Sequence, residues 1–270
     1  MSSVARPPQW TSENASRFKD LTVSSVYHLR LPYPPAIFDH LLSLVADPSQ
    51  PVLDLGTGTG ELARELAPHV IRVDAVDASP AMLARALTMP GGDHPSIRWI
   101  QTQAEEFASD DVYGLVTAGD SLHWMDWDVV LPQLSHRLVE GSFLAIVHRT
   151  EQAPPWQDDL AALIAHYSTM RFYETFDLIA ELERRGLFVV AGRFATAPEE
   201  SRQSIDDYVE SFHSRSSLSR ENMLAAAADE FDERLRGLVT LGATDGAVTL
   251  ATVGEIVWGR PREVEKSIAE

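Results

Sequence analysis

The amino-acid sequence predicts an α/β protein built on a doubly wound, mostly parallel sheet of seven strands, with a helical cap and an N-terminal arm. Two observations support this fold class. Short apolar segments alternate with helical patterns from residue 51 onward, at the spacing that βαβ units require. A glycine-rich turn, residues 56–60, separates the first apolar segment from the first helix, where it lets the backbone reverse direction tightly.

The first half of the chain contains the predicted parallel strands and the helices that connect them. Each strand is a short run of apolar and β-branched residues, which suits a strand buried on both faces. The predicted strands cover residues 51–55, 70–76, 97–100, 113–117 and 142–147. Helical spacing appears at 61–66 and 129–138, and Ser79-Pro80 supplies the N-cap and first residue of another helix between them.

The pattern changes after Pro154-Pro155, which breaks the chain. Apolar runs at 187–194 and 248–258 predict two further strands, and helical patterns fill most of the remainder. The predicted helices cover residues 156–167, 176–185, 205–212 and 221–235. The expected division of the chain is an arm at 1–34 and one domain at 35–270, with cap insertions at about 151–186 and 203–236.

Composition argues against several classes of partner. The chain has 22 basic and 40 acidic residues, a net charge of −18, so we expect no basic surface for a nucleic acid. It has no cysteine, and its nine histidines lack metal-ligand spacing, so we expect no metal centre. The sequence shows neither a signal peptide nor a long apolar run. We therefore expect a cytoplasmic protein without membrane attachment, either a monomer or a homodimer.

The glycine-rich turn gives the strongest functional signal. Doubly wound sheets bind nucleotides at the carboxyl ends of their strands, at the point where the strand order reverses. Asp77 ends the second predicted strand, where a carboxylate can accept hydrogen bonds from ribose hydroxyls. Glu61 stands where a dinucleotide fingerprint requires glycine, and the G-K-[S/T] of a triphosphate loop is absent. Asp54 beside the turn would repel a pyrophosphate but suit a ligand that carries positive charge.

Taken together, these segments resemble the class I S-adenosylmethionine-dependent methyltransferases, a family with a Rossmann-like fold. The segments that resemble its first three motifs are VLDLGTGTG at 52–60, VDASPAML at 76–83 and QAE at 103–105. Residues 115–125, LVTAGDSLHWM, resemble the fourth-strand motif of a small-molecule subgroup that includes trans-aconitate-type enzymes. Residues 27–34 and 257–261 resemble that subgroup's N-terminal arm and final strand, so the resemblance covers most of residues 18–261.

The resemblance implies S-adenosylmethionine as the cofactor and a set of contacts to it. The methionine end would contact Asp54, Gly56, Thr57 and Gly58, and the ribose would contact Asp77. The adenine would contact Ala78, Met82, Gln103, Ala104 and Glu105. Gly119 would lie beside the sulfonium. Tyr27 and Arg30 of the arm would close over the cofactor's carboxylate. The family usually has Asp where Gln103 stands, but an amide can still accept the adenine amino proton.

Methyl transfer from a sulfonium needs little covalent help, so the protein mainly has to align a nucleophile and exclude water. A base is useful where that nucleophile must lose a proton. His123, in the loop after the fourth strand, is the candidate base; alternatively it orients the loop. Asp120, where related enzymes often carry Gln, is the second catalytic candidate, or it caps a turn. Candidate substrate contacts are Tyr33, Trp124, Arg149, Trp156 and Tyr173.

The leading hypothesis is therefore a methyltransferase that acts on oxygen, nitrogen or carbon of a small-molecule acceptor, in secondary metabolism. Two alternatives stay open. A nicotinamide-dependent reductase could use the same fold, although Glu61 and the lack of a hydride-site constellation disfavour it. A regulatory protein could bind the cofactor without turnover, and the departures at Gln103 and Asp120 favour that hypothesis.

Overall fold

The computed structural model describes residues 7, 10, 21–170 and 174–263. Its centre is an eight-stranded sheet in the order β3-β2-β1-β4-β5-β8-β6, with β7 paired to β8. The strands are β1 (Val52–Leu55), β2 (Val73–Asp77), β3 (Ile97–Gln101), β4 (Leu115–Gly119), β5 (Leu144–Glu151), β6 (Phe188–Ala195), β7 (Glu199–Ser204) and β8 (Ala247–Pro261). The first five strands are parallel, so the predicted doubly wound, mostly parallel sheet is confirmed.

The order of the parallel strands defines where a ligand can bind. From β1 the chain continues outward to β2 and β3, then returns to place β4 and β5 on the other side of β1. The strand order therefore reverses between β1 and β4. A crevice opens at such a reversal point beyond the carboxyl ends of the strands, and the loops after β1 and β4 lie there.

Helices cover both faces of the sheet. Those in the described ranges are α1 (Leu21–Val26), α2 (Pro35–Ser43), α3 (Glu61–Leu66), α4 (Pro80–Ala86), α5 (Trp127–Ser135), α6 (Gln157–Tyr167), α7 (Leu178–Arg184), α8 (Ile205–Ser211) and α9 (Ala225–Thr240). Alternate residues of β1 enter different cores: Leu53 and Leu55 pack with α5 and α7, whereas Val52 packs with α2 and α3. This follows from the two-residue period of a strand. None of the described helices is long and apolar enough to span a membrane.

The structure differs from the prediction at three elements. The sheet has one strand more than predicted, because β7 has the polar sequence EESRQS and is recognised only by its pairing with β8. The helix predicted at 221–235 instead spans Ala225–Thr240, since Leu224 before it is extended, with ψ of 136°. Strand β8 is also longer than predicted, and its 15 residues pair with β5, β6 and β7.

Three helices, α6, α8 and α9, form a separate apolar cluster that we call the cap, together with the 3₁₀ turns Phe212–Ser214 and Ser216–Leu218. Tyr208, Phe212 and Phe231 lie at its centre, each at most 2% exposed. By contrast, α7 packs on the sheet through Leu182. The division of the chain into an arm, a core domain and cap insertions stays a prediction, and most of the arm lies outside the described residues.

Candidate active site

A cavity of about 650 Å³ lies at the carboxyl ends of the parallel strands, between the sheet and the cap. It gathers most of the residues predicted to bind the cofactor. Those that line it are Tyr27, Arg30, Gly56, Gly58, Asp77, Ala78, Met82, Gln103, Ala104, Glu105 and Gly119. Asp54 and Thr57 lie beneath its wall.

The glycine-rich turn forms one wall of the cavity through Gly56 and Gly58. Both have positive φ, 66° at Gly56 and 56° at Gly58, a conformation that favours glycine. At Gly56 a Cβ atom would lie 2.5 Å from the Cβ of Ser121, so no side chain fits. The backbone N–H of Gly58 donates to Oδ2 of Asp77 at 2.8 Å, which ties the turn to the end of β2.

Asp77 is half-buried and holds two backbone groups while facing the cavity. Its Oδ1 accepts from the N–H of Ser79 at 2.7 Å, and Oδ2 accepts from Gly58. Burial raises the pKa of Asp77, whereas these two N–H groups lower it. Each carboxylate oxygen has more than one acceptor position, so Asp77 can also accept from the hydroxyls of a ligand.

Asp54 supports the turn instead of contacting a ligand, which corrects the predicted direct contact. It is 1% exposed, and its oxygens accept from the hydroxyls of Thr57 at 2.5 Å and Thr117 at 2.7 Å. Burial raises the pKa of Asp54 to about 6. Thr57, also predicted as a contact, donates its N–H to the carbonyl of Val76 at 2.9 Å and so belongs to the same support.

Arg30 connects the segment before α2 to the cap. Its guanidinium lies 4.1 Å from the ring centre of Tyr27 and donates to the hydroxyl and carbonyl oxygens of Ser214 at 2.9 and 2.8 Å. Within the described ranges it forms no ion pair with a carboxylate. It can therefore still receive an anionic group from a ligand, and its contact with the cofactor's carboxylate stays a prediction.

Asp120 lies at the centre of a polar cluster at the other end of the cavity. Its φ is 48°, and its N–H donates to the carbonyl of Val147 at 2.9 Å, which extends the β4–β5 ladder to Asp120. Oδ2 accepts from the hydroxyl of Tyr33 at 2.9 Å, and Oδ1 is hydrogen-bonded to Nδ1 of His148. Arg149 lies 3.7 Å from Oδ2. Burial opposes the ionised form, but the His148 and Arg149 contacts lower the pKa of Asp120.

His148 is a functional candidate that the sequence analysis missed. The pairing of Gly119 with Val147 in the β4–β5 ladder places the next residues, Asp120 and His148, side by side. The hydrogen bond that His148 donates to Asp120 raises the pKa of His148, whose side chain is 61% exposed and lines the cavity.

His123, the predicted base, has a different environment. It lines the cavity, but its ring lies 5.1 Å from that of Trp10 and 4.6 Å from that of Trp124. Burial lowers the pKa of His123 to about 4. It is thus neutral at physiological pH and a weaker proton acceptor than His148.

The predicted substrate contacts divide into three groups. Trp124 and Arg149 line the cavity. Tyr33 is 5% exposed and reaches the site through its hydrogen bond to Asp120 and its ring contact with Arg149. Trp156 packs inside the cap, where a Cβ added to Gly242 would meet its ring at 2.5 Å, so the predicted contact is corrected to a packing role. Tyr173 lies outside the described residues.

Several cap-side residues of the cavity were not predicted, because they lie far apart in the sequence and match no motif. They are Glu151, Gln203, Tyr208, Ser211, Ser214, Arg215, Ser216 and Thr252.

The cap also contains a cluster of possible metal ligands outside the cavity lining. Glu210, His213 and Asp232 offer ligand atoms within 4.8 Å of one another. Arg220 donates hydrogen bonds to Glu210 and Asp232 at 2.7 Å each. His213 is hydrogen-bonded to Asp232 at 2.8 Å. The guanidinium therefore supplies positive charge to this cluster, which joins α8 to α9.

Part of the chain is similar to known proteins. Residues 52–141 match the family described as a methyltransferase domain. An uncharacterized methyltransferase of Mycobacterium tuberculosis is 31% identical over 134 residues, which are 49% of this chain and 52% of that protein. Nodulation protein S of Rhizobium tropici is 28% identical over 86 residues, 32% of this chain and 35% of that protein. The chain thus spans about half the length of the first relative and about a third of the length of the second.

Solved structures agree on the fold. A putative type II methyltransferase from Anaeromyxobacter dehalogenans has a TM-score of 0.60 at 23% identity, covering 87% of this chain and 98% of that chain. A putative methyltransferase from Bacillus halodurans has a TM-score of 0.52 at 18% identity, covering 84% and 100%. The chain therefore has the class I methyltransferase fold, and residues 52–141 are similar to the methyltransferase domain family. The trans-aconitate-type subgroup stays a prediction.

Proposed function

We propose that this protein transfers a methyl group from S-adenosylmethionine to a small-molecule acceptor of secondary metabolism, bound between the sheet and the cap. The observation that supports this most is the continuity of the cavity. It extends from Gly58 and Asp77, which suit the cofactor, to Asp120 and His148, which suit an acceptor that must lose a proton.

The residues present fit the cofactor. Gly56 and Gly58 line the cavity, Asp77 offers acceptors to ribose hydroxyls, and Arg30 offers a guanidinium to a carboxylate. When bound, the cofactor supplies a methyl group attached to a positively charged sulfur, and the neutral thioether is a good leaving group. The protein's contribution is to bind, to align the acceptor and to exclude water.

We further propose His148 as the base, in place of the predicted His123. Asp120 accepts the hydrogen bond of His148 Nδ1, which leaves Nε2 to take a proton from the acceptor. The carboxylate also stabilises the imidazolium that forms. His123, with its depressed pKa, would serve as a neutral wall of the site.

Calorimetry followed by a turnover assay tests the function. We expect S-adenosylmethionine and S-adenosylhomocysteine to bind and NADH not to bind, and mass spectrometry to detect a methylated product from a metabolite pool. Binding of NADH in place of the sulfonium compound would support the reductase. Binding of the sulfonium compound without a product from any pool would support the regulatory hypothesis.

The Asp120–His148 pair leads to a prediction about pH. Substituting Asp120→Asn should lower the pKa of His148, because the hydrogen bond and the negative charge that raise it are weakened. NMR titration of the imidazole signals measures this, with His148→Gln identifying the signal. In turnover, a base of lower pKa keeps its active, neutral form to lower pH, so the acidic limb of the rate profile should move to lower pH.

A matched control for this titration is Asp206→Asn, which removes an exposed carboxylate of the cap. It should leave the pKa of His148 unchanged. An identical titration in wild type and Asp120→Asn would remove the pair from the proposed mechanism. A loss of turnover in His123→Ala that exceeds the loss in His148→Gln would return the base role to His123.

A further inference from the structure

Arg215 is the most unusual charged residue of the cavity. It lies between the two 3₁₀ turns of the cap, and its guanidinium stacks 4.4 Å from the ring centre of Phe212. Its surface faces the cavity. Within the described ranges its side chain forms neither a hydrogen bond nor an ion pair, whereas Arg149 pairs with Glu61 and Arg30 donates to Ser214.

The side chain of Arg215 is exposed toward the cavity, so its charge is accessible to a ligand. The surrounding protein and the nearby charge of Arg30 lower the pKa of Arg215, but a guanidinium stays charged under such conditions. A cation that lies near a second cation and has no anionic partner favours a negatively charged ligand. A ligand that brings a negative group to Arg215 would supply that partner.

Glu151 lines the same region without pairing directly with Arg215. Its Oε1 accepts from the hydroxyl of Tyr208 at 3.3 Å, and burial raises the pKa of Glu151, while the charge of Arg215 lowers it. No ion pair joins the two side chains in the described part of the chain, so their charged ends lie apart in one cavity.

A third polar group lies beside Glu151. Thr252 pairs with Glu151 across the β5–β8 ladder and also lines the cavity. It is 2% exposed, and its hydroxyl is buried without a hydrogen-bond partner among the described residues. Buried hydroxyl groups are normally satisfied, so this orphaned group also indicates a ligand.

We infer that the acceptor is a dipolar small molecule, with a carboxylate that binds Arg215 and a hydrogen-bond-donating ammonium or hydroxyl group directed toward Glu151. The carboxylate matches the planar guanidinium. A second carboxylate on the same molecule would meet the charge of Glu151 and be rejected. This inference rests on the proposed function, because it describes the acceptor of that reaction.

The cap fixes Arg215 in place before any ligand arrives. His213, two residues earlier, is held through Nδ1 to the carbonyl of Leu218 at 2.7 Å and through Nε2 to Asp232 at 2.8 Å. Arg220 in turn holds Asp232. A guanidinium on a fixed backbone and stacked on a ring loses little freedom on binding.

The test uses four molecules of nearly the same shape on the protein saturated with S-adenosylhomocysteine. L-Phenylalanine and L-phenyllactate carry both groups, 3-phenylpropanoate lacks the donor, and L-phenylalaninamide lacks the carboxylate. Their phenyl group suits the aromatic lining from Trp124 and Tyr208. Calorimetry should show L-phenylalanine, L-phenyllactate or both binding about 10- to 100-fold more tightly than L-phenylalaninamide, as expected for charge-assisted hydrogen bonds.

Two variants assign the preference to the two side chains. Arg215→Gln should reduce the ratio between acid and amide to about one, and Glu151→Gln should reduce the advantage over 3-phenylpropanoate. The matched control is Arg234→Gln, which removes an exposed guanidinium stacked on Tyr167 of the cap and should change neither ratio. Unchanged affinity for S-adenosylhomocysteine verifies that each variant is folded.

The outcomes separate the two proposals. Failure of wild-type protein to bind S-adenosylhomocysteine would overturn the proposed function. If it binds, the dipolar acceptor is overturned by equal affinity for acid and amide, by a preference that survives Arg215→Gln, or by no binding of any of the four molecules at millimolar concentration. The comparison of acid and amide uses wild-type protein, so it does not depend on the folding of a variant.

Discussion

Substituting Asp77→Ala is expected to weaken the binding of S-adenosylhomocysteine by about 2–4 kcal/mol, or about 30- to 1000-fold in Kd. The reason is twofold. The carboxylate faces the cavity, where it can accept from ribose hydroxyls, and its Oδ2 also holds the N–H of Gly58 at 2.8 Å. Removing it therefore loses charge-assisted hydrogen bonds to the ligand and releases the turn that shapes the site. Calorimetry on wild type and variant measures the change.

Two controls separate the ligand contact from the support of the turn. Asp93→Ala removes an exposed carboxylate of the loop before β3 and should leave the affinity unchanged. Adenosine should bind wild type more tightly than 2′,3′-dideoxyadenosine, and the two should bind Asp77→Ala equally. If the variant kept the preference for adenosine, Asp77 would support the turn only, and its assignment to the ribose would be wrong.

The sequence predicted the sheet well because its signal is local. Buried parallel strands are short apolar runs bounded by glycine, proline or serine, and all seven predicted strands correspond to strands of the structure. Strand β7 was missed for the opposite reason. It pairs only with β8, its side chains are mostly exposed, and its polar sequence carries no apolar alternation. Only the pairing partner, about 45 residues later in the chain, identifies it.

The two halves of the candidate site differ in the same way. Gly56, Gly58 and Asp77 belong to short motifs. There, glycine indicates a tight backbone turn and the carboxylate indicates a hydrogen-bond acceptor. The structure brings these residues together at the reversal point. His148 gains its partner from the register of β4 and β5, and Arg215 reaches the cavity from the cap. Sequence spacing shows neither the register of β4 and β5 nor the position of the cap. The residues on the acceptor side of the cavity could therefore not be derived from the sequence.

The second large effect concerns Arg149, the cation between the two carboxylates Glu61 and Asp120. Its side chain is 11% exposed, and Nη1 lies 2.7 Å from Glu61 Oε2. The guanidinium also stacks 4.3 Å from the ring centre of Tyr33. Substituting Arg149→Met keeps most of the apolar volume but removes the cation from Glu61 and leaves Asp120 with His148 as its ion-pair partner. We expect the free energy of unfolding to fall by about 2–4 kcal/mol at neutral pH, because partly buried carboxylates that lose their cation are destabilising.

The matched control is Arg236→Met, whose partner Asp206 is 83% exposed. Loss of such a surface pair should cost less than about 1 kcal/mol. Urea unfolding of both variants and wild type at neutral and acidic pH measures the difference. An Arg149→Met variant as stable as the control would contradict the stabilising role of Arg149.

The sign of the pH dependence provides a second check on Arg149. Although burial opposes ionisation, His148 and Arg149 hold the pKa of Asp120 below its ordinary value of 3.8. The stabilisation from the ionised carboxylate is therefore complete above that value and is lost as the pH falls through the depressed pKa. In Arg149→Met the pKa of Asp120 should rise, so the carboxyl group protonates sooner and its burial becomes less costly. The stability difference between wild type and Arg149→Met should therefore shrink as the pH falls, and a constant difference would assign the loss to packing against Tyr33.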